Sequence, residues 1–216
     1  MSRPLLLAAL LLACGGAQAQ SACSSDGRFQ PPALHERFIN ADCPSCWTEA
    51  PAAVGGAAAL VLDWIVPGRR GEDAPLAAAA TRDALRRLQA LKRDRPDRTD
   101  EVRHERTGAA GTLCVAQGPA VGGYVGTSIE LRNPRPGGWA AWLALVEVLP
   151  AGTEGSPVER RLVRNVLQVD WPPGAPRFSD SRPMRIPEGA KAERLQVVGW
   201  VEDSAGQVRG IAQAVC

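Results

Sequence analysis

From Thr112 onward the chain is cut every ten to fifteen residues by Gly or Pro into short runs of alternating apolar and polar residues. Alternation at a period of two is the pattern of a strand with one face in a core. The expected strands are 112–117, 123–132, 139–149, 158–170, 182–186, 193–202 and 207–216. Trp142, Ala144, Val146 and Val148 share one face of the third, and Leu195, Val197, Gly199 and Val201 one face of the sixth. Asp203-Ser204-Ala205-Gly206 supplies a turn between the last two, closing a hairpin. Seven short strands with turn signals predict a β-sandwich.

The first half reads differently. Gln20 to Pro32 is a polar lead-in, and Ala33 to Asn40 is a strand running into Cys43-Pro44-Ser45-Cys46. Ala57 to Val66 is nearly all apolar, as in a sheet covered on both faces. Asp73 and Pro75 signal a helix start, with Leu76, Ala80, Ala84, Leu88 and Leu91 following at three- and four-residue spacing until Pro96. Lys92 to Arg106 mixes charges and reads as a solvated helix end and linker in which His104 has no role. The chain therefore divides near residue 108, an α/β part before it and an all-β part after it, within the length of two small domains.

The N-terminus reads as an address. Arg3 precedes nine apolar residues, Leu5 to Ala13, and Ala17-Gln18-Ala19 fits a cleavage site, so residues 1–19 are expected to be a signal peptide. Nine residues span ~14 Å as helix, too little to cross a bilayer. The alternative is a lipoprotein signal, Leu11-Leu12-Ala13-Cys14, with a lipid anchor at Cys14. Either way the expected location is periplasmic or secreted, without a transmembrane segment. A net charge of +2 gives no field for nucleic acid, and two His exclude a site of several imidazoles. Outside the cytosol thiols can stay oxidised. Five Cys remain after processing, an odd number, so at least one is unpaired or bonded elsewhere.

Cys43-Pro44-Ser45-Cys46 carries the chemistry. Three-residue spacing at a helix start puts two sulfurs within disulfide reach, and the first faces unpaired N–H groups that favour thiolate. Cys43 is then the attacking sulfur and Cys46 the resolving one, exchanging with thiols and disulfides of envelope proteins and using no cofactor. The rival is a non-catalytic binding or scaffold module in which the pair is a structural staple; a third reading is a Cu(I) or Zn carrier, since soft thiolates suit Cu(I). Glu36, seven residues before Cys43, is either a buried proton shuttle or the partner of an Arg. His35 and Arg37 share a strand face, which predicts incomplete cover there or a carboxylate meeting Arg37. The six Trp read as core residues, and a saccharide platform is the lesser reading because nothing groups them along the chain.

The segment from Glu36 to Trp47 resembles exported bacterial thioredoxin-like proteins of unknown function, whose signature is roughly Glu-Leu-Tyr/Phe-Thr-Ser-x-Gly-Cys-x-x-Cys-Pro-Pro. The lead-in Ala22-Cys23-Ser24-Ser25, the strand Leu60 to Trp64 and the closing Gly210 to Cys216 are similar to that family too. The resemblance implies a thioredoxin-like domain over 20–108 and a β-sandwich-like domain over 109–216. The family's Tyr-Thr-Pro-Gln segment has no clear match, with Gly118-Pro119 a substitute. The lead-in Cys and the C-terminal Cys are also similar to cysteines of that family, and the resemblance implies a Cys23–Cys216 disulfide. An up-and-down strand count separates Cys114 from Cys216 in the same sense, although one missed strand would reverse that argument.

Overall fold

The computed structural model describes residues 23–26, 28–50 and 59–216; the expected signal peptide and Cys14 lie outside them. In chain order the strands are β1 (Cys23–Ser24), β2 (Ala33–Asn40), β3 (Leu60–Val66), β4 (Thr99–Glu105), β5 (Thr112–Val121), β6 (Tyr124–Arg132), β7 (Trp139–Leu149), β8 (Arg160–Trp171), β9 (Arg177–Arg185), β10 (Leu195–Asp203) and β11 (Val208–Gln213). Two α-helices, α1 (Pro44–Thr48) and α2 (Arg82–Ala90), join them. One sheet has the order β1-β5-β6-β9, the other β11-β10-β7-β8-β3-β2-β4.

This corrects the expected fold class. Among the described residues the protein is mostly β, 49% strand against 12% helix, and no α/β thioredoxin-like first domain is evident there. The physical reason lies in β3. Its side chains are buried on both faces, so its backbone groups need strand partners on both edges, and it pairs in parallel with β2 on one side and with β8 on the other, Asp63 opposite Leu162. Strands from before and after residue 108 thus share one seven-stranded sheet. With helices of five and nine residues, no helical layer is broad enough to cover both faces of such a sheet.

Strand alternation sorts the interior into three cores. Leu34, Phe38, Leu62, Trp64, Val146 and Trp200 face α2, meeting Ala84 and Leu88. On the opposite face, Leu143, Val197 and Val201 meet Val115, Ile129 and Leu131 of the four-stranded sheet. Gly199 permits that close approach, because a Cβ there would collide with Val115 and press on Ile129. A third cluster, including Ile39, Ala41, Ile65, Leu149 and Leu162, packs around Cys43, Cys46 and Trp47.

Two local expectations change. The helix expected from Asp73 is confined to α2, where the Thr81 hydroxyl accepts from the Ala84 N–H at 3.2 Å. The Ala-rich stretch before it forms only 3-10 turns, Gly71–Asp73 and Ala77–Ala79. Half of the expected linker is β4, antiparallel to β2 at the sheet edge. Its alternating charges suit an edge strand, where they oppose pairing with another chain, and they hid the strand from a reading that looked for apolar residues.

The chain ends are joined as expected. Cys23 and Cys216 form a disulfide across 193 residues, beside the pairing of Ser24 with Val215. Cys114 is buried and free. Burial, and then the adjacent Asp26 carboxylate, push its thiol up to about 11, which makes it a poor nucleophile at neutral pH.

Candidate functional site

The turn from β2 into α1 is held by side chains at its own ends. Asn40 donates from Nδ2 to the Pro96 carbonyl at 2.8 Å, and its Oδ1 accepts from the Asp42 N–H at 2.8 Å. The Asp42 carboxylate accepts from the backbone of Arg69 at 2.6 Å and of Arg70 at 3.3 Å. It fills the space over Gly68, where any side chain would collide with it. Asp42 is thereby engaged away from the sulfur that follows it.

Cys43 is the N-cap of α1 and is bonded to Cys46. The Cys43 Sγ lies 3.5 Å from the Ser45 Oγ, and the Arg98 guanidinium donates to that same oxygen at 3.4 Å. A hydroxyl beside the sulfur stabilises negative charge on it, and the exposed Arg98 guanidinium, which also lies 3.9 Å from the Glu49 carboxylate, adds a weaker positive charge behind it. Neither Ser45 nor Arg98 was singled out from sequence: Arg98 lies 53 residues further on, inside the charge-rich run, and nothing local signals the contact.

Beneath the motif runs a buried ionic layer. Asp63 accepts from Arg37 at 2.9 Å, from Arg160 at 3.3 Å and from the Arg161 N–H at 3.2 Å. This is the carboxylate expected to meet Arg37; His35, on the same face, approaches Glu101 at 3.2 Å. Arg160 closes the far end of α1, donating to the carbonyls of Trp47 at 2.7 Å and Glu49 at 3.0 Å. Its guanidinium sits 4.8 Å from the Trp47 ring centre. Burial draws Arg160 below its ordinary range, against the pull of Asp63 in the other direction. A helix of five residues has little stability of its own, so these contacts and the disulfide keep it in place.

Glu36 does not reach the cysteines. It alternates with Leu34 and Phe38 on the α2 face, whereas Cys43 and Cys46 pack with Ile39 on the other. Arg87 grips its carboxylate with two nitrogens, Nη2 at 2.7 Å and Nε at 3.0 Å, and the His104 Nε2 lies 3.1 Å away. Burial alone would raise the Glu36 carboxyl, but Arg87 and His104 outweigh it and hold the group below the usual carboxylate range. Its carboxylate is thus the partner of an Arg, one of the two expectations for this residue. His104, expected to have no role, is part of this brace. Arg87 also meets Glu202 at 2.7 Å and lies over Trp142 and Trp200.

Among the described residues there is no group of three or more His, Cys, Asp or Glu able to hold a metal ion. No helix among them is long and apolar enough to cross a membrane. No protein-family model, curated protein or solved structure matches this chain.

Proposed function

We propose that the protein is exported and exchanges thiols and disulfides with envelope proteins through Cys43 and Cys46. The observation that supports this reading is the contact chain from Arg98 through Ser45 to Cys43, a donor and a cation beside the sulfur that would act as the thiolate. In the reducing direction the Cys43 thiolate attacks a partner disulfide, forming a mixed disulfide and releasing one partner thiolate. Cys46, deprotonated, then attacks the Cys43 sulfur and releases the second partner thiolate. Two electrons pass to the partner and the Cys43–Cys46 bond is restored; the reverse sequence oxidises a partner dithiol. Export is supported by the basic and apolar N-terminal segment and by two disulfides.

A second reading, the structural staple, is favoured by burial, since Cys43 is only 7% exposed and Cys46 8%. The Cys46→Ser variant separates the two. With oxidised glutathione it should accumulate a mixed disulfide at Cys43 while keeping the Cys23–Cys216 bond. A Cys43 thiol that stays unmodified in folded protein would establish the staple.

A further inference from the structure

The tryptophans that were scattered in sequence meet in space. Trp139 and Trp142 from β7 and Trp171 from β8 line a cleft of about 690 Å³ at one end of the seven-stranded sheet. Trp200 stacks on Trp142, ring centres 5.8 Å apart. The last turn of α2 and the Asp203–Gly206 turn form the remaining walls. The volume lies within the ~300–1,000 Å³ of small-molecule sites. No residue of the Cys43–Trp47 segment lines it.

The charged side chains of this region line two compartments that share Asp203. Asp170, Glu202, Asp203, Gln168 and Lys92 line the large compartment. An adjoining compartment of about 270 Å³ shares Gly138, Trp139, Asp203 and Ser204 with it and adds Arg135 and Arg209. The Nη1 atoms of both arginines lie within 4 Å of one point above Gly108, at 3.9 and 3.6 Å. Arg209 is held by Asp203 at 2.7 Å and by the Thr107 carbonyl at 2.8 Å. Arg135 has no acidic partner among the described residues. The Arg209 donors are taken by Asp203 and by the Thr107 carbonyl and hydroxyl, so the exposed Arg135 is the guanidinium left to take an anion, and its fork geometry suits a carboxylate or phosphate. Trp139, common to both compartments, carries a buried indole N–H with no acceptor among the described residues.

We infer that this double cleft binds a sugar acid. The anionic group sits on Arg135, beside the Asp203-paired Arg209. The neutral, hydroxyl-rich body lies in the large compartment, donating to Asp170 and accepting from Gln168 and Lys92, against aromatic walls. A wholly anionic ligand would meet the three carboxylates of that compartment, and an apolar one would strip water from them without replacement. The site is independent of the exchange chemistry proposed for Cys43 and Cys46.

Calorimetric titration of the full chain with disulfides intact tests this, using maltobionate (one carboxylate on a neutral glucosyl body), neutral maltose, inorganic phosphate and a glutamyl dipeptide as probes. Maltobionate should bind at least tenfold more tightly than maltose. Arg135→Ala should reduce its affinity at least tenfold with an unchanged melting temperature, since this side chain is exposed. Arg95→Ala, outside the cleft, should leave binding unchanged. Equal binding by Arg135→Ala and the parent protein overturns the proposal. So does phosphate matching maltobionate, which would indicate an anion site alone, or a preference for the dipeptide.

Discussion

At the scale of single residues, the geometry assigns different work to two groups that sequence placed side by side. Ser45 and Arg98 face the Cys43 sulfur, so Ser45→Ala or Arg98→Ala should slow alkylation of Cys43 in reduced protein several-fold while leaving stability nearly unchanged. In the parent protein Cys43 should be alkylated before Cys46, and peptide mapping after a short iodoacetamide pulse reads the order. Glu36 instead braces the core. Glu36→Gln leaves a buried guanidinium with one carboxylate fewer, which should cost roughly 3–5 kcal/mol in urea unfolding. The pH sign follows from the direction of its shift. A carboxyl held below its ordinary value of 4.5 contributes stability that is complete above that pH and lost as pH falls through the folded value. Below pH 4.5 the variant should therefore lose stability less steeply than the parent.

At the scale of elements, legibility followed where the determining information lies. The strand Ala33–Asn40 and the hairpin around Asp203 are local patterns, and both stand as expected. The helix was overextended because Ala and Leu spacing alone cannot distinguish an α-helix from successive 3-10 turns. The pairing of β3 with β8 joins residues about a hundred positions apart, which no local period encodes, and that pairing is what overturned the α/β expectation. The same holds for Arg160, whose grip on α1 spans over a hundred residues. Close packing between the sheets gives a direct check. Gly199→Ala drives a methyl group into Val115, and overpacking of this kind should cost ~1–3 kcal/mol in urea unfolding.

At the scale of the whole molecule, the chain is tied end to end, and the two disulfides close loops of very different length. Cys23–Cys216 closes a loop of 193 residues, and Cys23→Ser with Cys216→Ser should cost ~2–5 kcal/mol by restoring freedom to the unfolded chain. Cys43–Cys46 closes a loop too short to matter much in that way, and its value is chemical in the account given above. Its reduction potential, measured by equilibrating the protein with glutathione buffers and trapping the thiols, tests that account most directly. A value for Cys43–Cys46 between about −120 and −270 mV is the expected result, the range of exchange proteins. A value below about −300 mV, the range of structural disulfides, would contradict it.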